Sequence, residues 1–377
     1  MINSDNNHNQ FLPVIGILGD GQLAMMMAQA YQNLGGEVMT LGASADAPAT
    51  AVADQSFVGD IGDFESVSKF FNAVDVVTLE NEFTDSTLLS DVAARCDTPV
   101  LPDPSRFGLI EDKLSEKKFF QDLGIPQAVF VEVTSEADLK DIAGYLKIAK
   151  GGYDGIGTYR VESMSEATKL FRKIQSSGVI LFEEAVEFKK ELSLIGVSGS
   201  NEIVFYPIVE THQEDGTCKF VTFPAQVSPS IEEQACAYVS SVLNKLDTQG
   251  LFAFEFFLTN DDQLILNESA PRPHNSGHIT LDLANCSQFE NHMRAVAGLP
   301  LRKPEIVKDS MTMVNLLATK SGAFDFEKIA NSINDPDASA TLYRKNQSRI
   351  KRKMGHVNLW GSNQQQRAEN LIRNLDI

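Results

Sequence analysis

The sequence of 377 residues predicts a protein of mixed α/β and α+β class, with a doubly wound parallel sheet at its N-terminus and a small β-rich domain at its C-terminus. Three observations lead to this prediction. Apolar strand-like runs alternate with helical segments up to about residue 104, Pro102 and Pro104 then mark a boundary, and β-rich segments dominate beyond about residue 190. A hydrophobic content of 43% is ample to bury the cores of two or three domains.

The N-terminal alternation runs without interruption. Residues 14–18 (VIGIL) are typical of a buried strand, residues 22–33 of a helix, and the turn Gly35-Gly36 leads into a second strand, EVMTL. Helical FESVSKFFNA, the strand DVVTLE, helical TLLSDVAARC and strand-like PVLP follow. This β-α-β order indicates a parallel sheet covered by helices.

The rest of the chain divides into two parts. The helix LSEKKFFQDLG opens the first, mixed part, and QFENHMRAVAG closes it with another helix. The last part contains the short strands MVNLLA, ATLYR and HVNLWG. A final helix carries apolar residues on one face, namely Ala368, Leu371, Ile372 and Leu375.

Composition and charge exclude several classes of protein. The opening MINSDNNHNQ lacks a basic segment followed by an apolar one, and no apolar run reaches the roughly 18 residues of a membrane span. We therefore expect a cytoplasmic protein. The net charge of −19 disfavours binding to nucleic acid or to an anionic membrane, so we expect neither partner. The cysteines have no metal-ligand spacing and predict buried thiols: Cys96, Cys218, Cys236 and Cys286.

One basic run contrasts with the acidic composition. Residues 344–353 (RKNQSRIKRK) concentrate arginine and lysine. A solvated face or a tether for a polyanion is one interpretation of this run, and a pocket for a small phosphorylated ligand is the other.

The first loop, GILGDGQLA, lies between a strand and a helix. It contains a G-x-G-x-x-A pattern whose two glycines are Gly19 and Gly21. The pattern fits a dinucleotide fingerprint, but the second strand ends at Gly42 where NAD binding needs an acidic residue. The prediction that remains is a helix N-terminus suited to an anion, with Gln22 in its mouth.

The strand DVVTLE continues as TLENEF, which puts Glu80 and Glu82 on one face of an extended chain. They lie at the carboxyl end of the strand, where open α/β sheets bind ligands. An amine or hydroxyl donor of a ligand is one partner for these carboxylates, and a capping or solvent-exposed role is the alternative.

The stretch LKIAKGGYDGIGT, residues 146–158, combines Lys147 and Lys150 with several glycines. Such a loop exposes backbone N–H groups that can fold over phosphate oxygens. It lacks the Gly-Lys-Ser/Thr ending of a Walker A loop. The lysines favour a polyphosphate site, and a flexible β-hairpin lid without a ligand is the alternative.

The segment FAFEFFLTNDDQLILNE predicts a β-hairpin with a pair of glutamates. A symmetric turn of two or four residues at Asp261 and Asp262 places Glu255 directly opposite Glu268. Like charges that face each other are unfavourable unless a cation joins them or a pKa is raised. The pair therefore suits Mg²⁺ bridging to a nucleotide, with an exposed, solvated hairpin face as the alternative.

The hairpin leads into APRPHNSGH, which is rich in hydrogen-bond donors. Arg272, His274, Asn275, Ser276 and His278 lie in a segment that two prolines restrict. These side chains suit an anion such as bicarbonate, a carboxylate or phosphate. So many polar groups in one short stretch are more typical of a site than of packing.

Together these motifs resemble those of the ATP-grasp enzymes, and among them the N5-carboxyaminoimidazole ribonucleotide synthase family. The resemblance covers about residues 14–361. The matching segments, in the family's order and approximate spacing, are GILGDGQLAMM, TLENE, GGYDGIG, FEEAVEFKKELSLIG, NESAPRPHNSGH, SQFENHMRAVAGLPL and RKMGHVNL. NESAPRPHNSGH with RKMGH is specific to the family, whereas the glycine loops alone are not.

The resemblance implies a division into domains. A disordered tail would cover residues 1–12, and a Rossmann-like pre-ATP-grasp domain residues 13–107. The ATP-grasp domain would cover residues 108–300, with a glycine-rich lid at about 140–190, and a β-rich domain would cover residues 301–377.

The resemblance also implies roles for individual residues. ATP would be bound by Lys113, Lys147, Gly152, Tyr153, Asp154, Gly155, Ile156, Gly157, Thr158, Glu183, Glu184, Ala185, Val186, Glu191, Gln213, Asn267 and Glu268. Mg²⁺ would be bound by Glu255 and Glu268. The ribonucleotide and bicarbonate would contact Gln22, Glu80, Tyr153, Asp154, Arg272, His274, Lys345, Arg352 and Lys353. The catalytic groups would be Arg272, His274 and Lys147.

Several positions depart from the family pattern. Met25 and Ala149 each stand where the family usually has an arginine, and Phe83 stands where it usually has an asparagine. In the lid, Ile156 and Thr158 replace a basic residue and a glutamine, which predicts weaker ATP binding or slower turnover. A histidine expected at 213 appears one position early, as His212. The metal pair is intact, which favours an active enzyme.

The implied activity is the ATP- and bicarbonate-dependent carboxylation of 5-aminoimidazole ribonucleotide through carboxyphosphate, in purine biosynthesis. A homodimer is the implied assembly, and a separate mutase is a candidate functional partner. Three alternatives stay open: a sister ATP-grasp ligase that activates formate or another carboxylate for a different ribonucleotide amine, a dinucleotide-dependent oxidoreductase, and a nucleotide-binding module without catalysis.

Overall fold

The structure, a computed structural model, describes residues 12–81, 84–110, 112–150, 157–214, 216–323, 327, 329 and 333–374. The predictions for the tail up to residue 11, for Glu82 and Phe83, for the loop residues 151–156 and for Leu375 lie outside the described residues.

The N-terminal sheet is parallel, with the strand order β3-β2-β1-β4. Its strands are β1 (Ile15–Leu18), β2 (Val38–Gly42), β3 (Gln55–Val58) and β4 (Val76–Leu79). Its helices are α1 (Gln22–Gln32), α2 (Phe64–Phe71) and α3 (Ser86–Cys96). Ile15 and Ile17 pack toward α1, whereas Leu18 and Leu79 pack toward α2 and α3, so both faces of the sheet are buried. The predicted doubly wound sheet is confirmed.

Strand β3 was missing from the sequence prediction. It lies at the edge of the sheet and pairs only with β2 along its length. Its residues, QSFV, are exposed or half-buried, so they lack the apolar run that marks the other three strands.

A second, antiparallel sheet has the strand order β5-β8-β6-β7, and we call it the lid sheet. Its strands are β5 (Phe130–Glu132), β6 (Gly144–Ile148), β7 (Thr158–Val161) and β8 (Ile180–Glu184). Helix α6 (Met164–Ile174) packs on it through Phe171, which joins Leu146 and Phe182 in a separate small core.

The largest sheet runs through the rest of the chain in the order β14-β13-β9-β11-β12-β15-β19-β17, with β10 paired to β9. Its first strands are β9 (Phe188–Ser198), β10 (Ile203–Phe205), β11 (Val209–Glu214), β12 (Thr217–Phe223), β13 (Gly250–Thr259) and β14 (Leu264–Ala270). The C-terminal strands β15 (Met311–Leu317), β17 (Ala338–Leu342) and β19 (Lys353–Trp360) extend the same sheet, because β15 pairs with β12.

The remaining elements connect or cover these sheets. The helices are α4 (Pro104–Phe107), α5 (Lys113–Asp122), α7 (Pro229–Leu246), α8 (Thr280–Leu283), α9 (Gln288–Val296) and α10 (Gln364–Asn374). A short pair is formed by β16 (Gly322–Ala323) and β18 (Gln347–Ser348). Short 3₁₀ helices lie at Gly108–Ile110, Glu136–Asp138, Gln175–Ser177 and Asn275–Ile279. Within the described part of the chain, no helix is both long and apolar enough to cross a bilayer.

Two predictions about apolar residues are tested by burial. Ala368 and Leu371 on α10 pack with residues of β15 and β19, and Ile372 contacts the same core. The cysteines are free thiols, of which Cys218 and Cys286 are buried and Cys96 and Cys236 are half-buried. The prediction of buried thiols is therefore wrong for the last two.

Candidate active site

A cleft of about 980 Å³ collects most of the predicted site residues. It is lined by the lid sheet, by β9, β13 and β14 of the large sheet, and by the start of α1. The predicted residues that line it are Gln22, Glu80, Lys113, Lys147, Thr158, Glu183, Glu184, Val186, Glu191, Gln213, Glu255, Asn267, Glu268, Arg272, His274 and Lys353. The described residues of the prediction that do not line it are Gly157, Ala185, Lys345 and Arg352. Gly152, Tyr153, Asp154, Gly155 and Ile156 lie outside the described residues.

Glu80 fills the anion site that the first glycine loop was predicted to form. Its carboxylate accepts hydrogen bonds from the backbone N–H groups of Gly21 at 2.6 Å and Leu23 at 3.1 Å, at the N-terminus of α1. Burial raises the pKa of Glu80, although these hydrogen bonds act in the opposite direction. The capping role that the sequence left open is therefore present, and the chain itself supplies the anion at this helix end.

The G-x-G pattern is explained by the same carboxylate. A Cβ atom at Gly19 would lie 2.4 Å from the Cβ of Glu80, and one at Gly21 would lie 2.4 Å from its Oε1. Gly19 also has a φ of +124°, which side chains rarely adopt. The glycines permit the close approach of Glu80, so the pattern needs no dinucleotide.

Glu255 on β13 lies opposite Glu268 on β14, as the sequence predicted. The turn between the strands differs from the prediction. The N–H of Thr259 donates to the carbonyl of Gln263 at 3.0 Å, which leaves a loop of three residues, and Asp262 has a φ of +62°. The prediction of a two- or four-residue turn is wrong.

A β-bulge restores the predicted pairing. On the turn side Phe256 pairs with Leu266, whereas on the other side Glu255 pairs with Glu268, so Asn267 is an extra residue on β14. A bulge re-aims the side chains that follow it. The odd-numbered loop and the extra residue compensate each other, and this returns the two glutamates to facing positions.

The facing glutamates share the cleft with other ionisable groups. Burial, together with the charges of Glu268 and Glu191, raises the pKa of Glu255 to about 8. Burial followed by the charge of Glu268 raises the pKa of Glu191 to about 7. Two side chains approach the pair: Lys113 Nζ lies 3.7 Å from Glu268 Oε2, and the imidazole Nε2 of His274 lies 3.4 Å from Glu255 Oε1.

This set of carboxylates fits a divalent cation. Burial first, and then the charges of neighbouring carboxylates, raise the pKa of Glu255 and Glu191, so a bound cation would favour their ionised forms. Mg²⁺ is usually bound by one or two carboxylates together with phosphate oxygens. Among the described residues, no group of three or more histidine, cysteine, aspartate or glutamate side chains has the arrangement of a complete metal site.

Lys147, the predicted phosphate ligand on β6, contacts Glu183, which was also predicted to bind ATP. The ammonium of Lys147 lies 2.8 Å from Glu183 Oε1, and that of Lys117 lies 2.9 Å from Glu183 Oε2. Burial alone would raise the pKa of Glu183, but the charges of Lys147 and Lys117 outweigh it and lower the pKa. Lys117 is only 2% exposed and was missed by the sequence analysis.

Glu116 is a second charged residue that the sequence analysis missed. It is buried on α5, and its Oε1 accepts hydrogen bonds from the N–H and the hydroxyl of Ser269, both at 2.7 Å. Burial raises its pKa to about 7, against the lowering effect of the Ser269 hydroxyl. The spacing of Lys113, Glu116 and Lys117 places them on one helix face, but it does not indicate that Glu116 and Lys117 are buried.

His274 is held from several directions. Its Nδ1 lies 2.8 Å from the hydroxyl of Ser276, which in turn lies 2.7 Å from the hydroxyl of Ser193. The side chain of Gln288 accepts from the N–H of His274 at 2.9 Å and donates to its carbonyl at 2.7 Å. Together with the contact to Glu255, these bonds fix the imidazole at the edge of the cleft.

His278, by contrast, is almost fully buried. It is 1% exposed and packs against His356, Phe289 and Tyr343. Burial, followed by the nearby charge of His356, lowers its pKa well below the ordinary value. His278 is nevertheless among the residues that line the cleft, so its role as an anion donor stays a prediction.

Some residues of the basic run, 344–353, lie on a solvated face and others lie at the cleft, so each of the two interpretations fits part of the run. Arg344, Arg349 and Lys351 are exposed, as in a solvated face. Lys353 lines the cleft, and Lys345 lies behind it, where its ammonium donates to the carbonyl of Lys353 at 2.8 Å.

The inner part of this run is partly desolvated. Burial, aided by the charge of Arg352 and opposed by that of Glu80, lowers the pKa of Lys345 to about 8. Arg352 donates to the carbonyl of Gln347 at 2.6 Å. In the same cleft as Lys353, Arg272 donates from Nη1 to the carbonyl of Pro273 at 3.1 Å.

The displaced histidine on β11 faces away from the cleft. A register shift in the ladder with β12 falls between His212 and Gln213. Thr211 and Gln213 line the cleft, whereas His212 lies 3.3 Å from the hydroxyl of Thr222. Of the two candidates for ATP contact, Gln213 is the one placed on the cleft side.

Three successive parts of the chain match known domain families. Residues 12–111 match the ribonucleotide synthetase preATP-grasp domain, residues 118–289 the ATP-grasp domain, and residues 311–370 the phosphoribosylaminoimidazole carboxylase C-terminal domain. With the lid sheet and the large sheet enclosing a cleft of lysines and carboxylates, this makes the chain an ATP-grasp ligase.

Similarity over nearly the whole chain identifies one family among the ATP-grasp ligases. The N5-carboxyaminoimidazole ribonucleotide synthase of Synechococcus elongatus is 33% identical over 355 residues, covering 92% of this chain and 89% of that protein. The chain belongs to the N5-carboxyaminoimidazole ribonucleotide synthase family, and the resemblance seen in the sequence is confirmed.

Solved structures agree. The structure of carboxyaminoimidazole ribonucleotide synthase from Aspergillus clavatus complexed with ATP has a TM-score of 0.90, with 30% identity and coverage of 97% of this chain and 98% of that one. The structure of N5-carboxyaminoimidazole synthase from Aspergillus clavatus with ADP and 5-aminoimidazole ribonucleotide has a TM-score of 0.88, with 29% identity and coverage of 97% and 99%. The predicted fold class is confirmed.

Proposed function

We propose that the chain carboxylates the amine of 5-aminoimidazole ribonucleotide with ATP and bicarbonate, giving N5-carboxyaminoimidazole ribonucleotide for purine biosynthesis. The observation that carries the proposal is the content of one cleft, in which the facing pair Glu255 and Glu268 lies with the cations Lys113, Arg272 and Lys353. Related structures solved with ATP, and with ADP and the aminoimidazole ribonucleotide, support it.

The chemistry proceeds in two transfers. An oxygen of bicarbonate attacks the γ-phosphorus of ATP, the bond to the β,γ-bridging oxygen breaks, and ADP and carboxyphosphate result. The bond between the carboxyl carbon and the phosphoryl oxygen then breaks and releases CO₂ and phosphate. The amine nitrogen of the ribonucleotide bonds to the carbon and loses a proton, which gives the carbamate.

The cations of the cleft would position the phosphates and the bicarbonate. Lys147 is held by Glu183 on a strand of the lid sheet, and Lys113 approaches Glu268. Both would offset the charge of the transferring phosphoryl group. Arg272 would orient bicarbonate through its planar guanidinium, and the fixed imidazole of His274 would lie beside it.

Glu255 and Glu268 are the residues that would hold Mg²⁺. When bound, the ion would neutralise phosphate charge and fix the geometry of the triphosphate. The raised pKa of Glu255 supports this assignment, because a carboxyl that is costly to ionise in the free protein gains a favourable partner when a cation arrives.

The ribonucleotide would bind where α1 and the basic run meet the cleft. Gln22, Glu80 and Lys353 line this part, and Lys345 supports Lys353 from behind. A lid that excludes water would protect carboxyphosphate from hydrolysis; of the residues predicted to form it, 152–158, only Gly157 and Thr158 are among the described residues. We also propose a cytoplasmic homodimer whose product is taken up by a mutase, as the family resemblance implies.

The proposal is tested by ADP release from MgATP and bicarbonate, with and without 5-aminoimidazole ribonucleotide. We expect the nucleotide to stimulate release, and Glu268→Gln to abolish the stimulation. Glu132→Gln, at a surface carboxylate of the lid sheet, is the matched control and should retain wild-type rates. Stimulation by formate in place of bicarbonate would instead favour the sister ligase, and MgATP binding without turnover would favour a non-catalytic module.

A further inference from the structure

One face of helix α5 contacts three successive residues of β14. The contacts are Lys113 Nζ to Glu268 Oε2 at 3.7 Å, Glu116 Oε1 to the N–H and hydroxyl of Ser269 at 2.7 Å, and Lys117 Nζ to the carbonyl of Asn267 at 3.1 Å. The three helix residues are spaced i, i+3 and i+4, which puts them side by side. The helix therefore holds the segment of β14 that carries the candidate metal ligand.

The contact from Lys117 falls on the bulge. Asn267 is the extra residue of β14, so the ladder with β13 does not fix it by a cross-strand partner. The next residue is Glu268, whose position opposite Glu255 depends on that bulge. A donor that holds the carbonyl of Asn267 thus fixes the direction in which Glu268 leaves the strand.

The same ammonium also contacts the lid sheet. Lys117 lies 2.9 Å from Glu183 Oε2, and the other oxygen of Glu183 lies 2.8 Å from Lys147. Lys117 and Glu183 are buried, with side chains 2% and 3% exposed, whereas Lys147 lines the cleft. Because Lys117 shares the charge of Glu183, that carboxylate is not neutralised by Lys147 alone.

We propose that Lys117 is a positioning residue of the nucleotide site: from below the cleft its ammonium holds the bulge at Asn267 and the carboxylate of Glu183, and through them it places Glu268 and Lys147. The inference rests on the proposed function only in taking Glu268 and Lys147 as ligands of the metal and the phosphates. Lys117 itself does not line the cleft.

Removing the ammonium should disturb both ligands at once. Without it, Glu183 becomes a buried carboxylate that only Lys147 offsets, and the breaking of a buried ion pair is strongly unfavourable. Lys147 would then be held more tightly by Glu183 and less available to phosphate. The carbonyl of Asn267 would lose its donor, so the bulge and Glu268 would no longer be fixed.

The test is the affinity for MgADP of folded variants, measured by calorimetry over a range of Mg²⁺ concentrations. For Lys117→Met we expect at least about tenfold weaker binding and a higher Mg²⁺ requirement, in the range seen when groups supporting metal ligands are removed. Lys118→Met is the matched control, because Lys118 is the next residue and its side chain is 57% exposed. It should bind as the wild type does.

Two further variants separate positioning from general stability. Lys117→Met/Glu183→Gln removes the uncompensated charge, and we expect it to recover part of the lost affinity. Lys117→Gln keeps a donor for the carbonyl of Asn267 without the charge, and it replaces the methionine variant if that variant does not fold. Folded Lys117 variants with wild-type MgADP affinity and Mg²⁺ dependence would overturn the inference. A wild-type protein that binds MgADP but fixes no bicarbonate would overturn the proposed function and leave this inference standing.

Discussion

The carboxyl groups of Glu255, Glu268, Glu191 and Glu116 all line one cleft. The pKa of Glu255 is raised to about 8, and those of Glu191 and Glu116 to about 7, in each case by burial first. Such an arrangement lowers the stability of the free protein, and it is typical of a site whose ligand supplies the missing positive charge.

Glu255→Gln should therefore stabilise the free protein while it removes activity. A carboxyl with a raised folded pKa favours the folded state at low pH, and this contribution is lost as pH rises through about 8. Because the side chain remains 23% exposed, solvent reduces the gain in the variant to on the order of 1–2 kcal/mol. Thermal unfolding without nucleotide should show a Tm difference that grows from pH 5 to pH 9. A constant difference, or a variant less stable than wild type at pH 9, would contradict the assignment.

Gly19→Ala should destabilise the N-terminal sheet. The new Cβ would lie 2.4 Å from the Cβ of Glu80, and the backbone has a φ of +124°. Clash and strain together predict a loss of roughly 3 kcal/mol in the free energy of unfolding, measured by urea denaturation. Gly62→Ala is the control, since its nearest neighbour is an oxygen of Asp60 at 3.4 Å. Equal effects of the two substitutions would refute this explanation of the G-x-G pattern.

At the scale of elements, the β13–β14 hairpin shows what the sequence could predict and why. The facing of Glu255 and Glu268 follows from alternation about a turn, and it was predicted correctly. The three-residue loop and the bulge at Asn267 were not predicted, because neither leaves a signal in a run of apolar residues. The prediction succeeded because two one-residue shifts cancel.

The turn itself gives a test at this scale. Asp262 adopts a left-handed conformation, and its carboxylate pairs with Lys189 at 2.6 Å in an exposed position. Glycine adopts such a conformation without strain, and exposed ion pairs contribute little. Asp262→Gly should thus raise the free energy of unfolding by roughly 0.5 kcal/mol, with unchanged MgADP affinity. A loss of stability greater than about 1 kcal/mol would show that the ion pair dominates.

Helix α5 carries two site residues that could not be predicted from the sequence. LSEKKFF has the charged residues of a solvated helix face, and only the folded chain shows that Glu116 and Lys117 point inward. Their partners, Ser269 and Asn267, lie about 150 positions away in the sequence. Local periodicity cannot reveal such pairs, whereas the motifs around Glu268 and Arg272 are contiguous and were found.

At the scale of the whole molecule, the C-terminal strands belong to the sheet that forms the cleft. Strand β15 pairs with β12, and β19, which begins at Lys353, pairs with β15. This continuity brings Lys353 from the end of the chain to the cleft that holds Arg272. The sequence predicted the strands themselves but not their order, since pairing across the chain has no local signal.

Buried histidines should make stability depend on pH across the molecule. His292 is fully buried between Thr78 and the backbone of Leu251, and burial lowers its pKa to about 3. The unfolded chain binds a proton below pH 6.5 that the folded chain does not, so stability falls as pH decreases from 6.5 toward 3. At pH 5 this costs about 2 kcal/mol.

His292→Gln should remove that dependence. Relative to wild type, the free energy of unfolding of the variant should rise by about 2 kcal/mol between pH 7 and pH 5, whatever its absolute stability. The comparison with wild type cancels the titration of the carboxyls in the cleft. Parallel pH profiles for the two proteins would mean that His292 already carries its proton when folded.

The central claim is that the cleft phosphorylates bicarbonate with ATP. Its most direct measurement uses bicarbonate labelled with ¹⁸O, MgATP and 5-aminoimidazole ribonucleotide, followed by mass analysis of the inorganic phosphate. If carboxyphosphate forms, one bicarbonate oxygen is transferred to each phosphate released with ADP. Phosphate without the label, produced at the rate of ADP release, would show that water attacks ATP and would contradict the account.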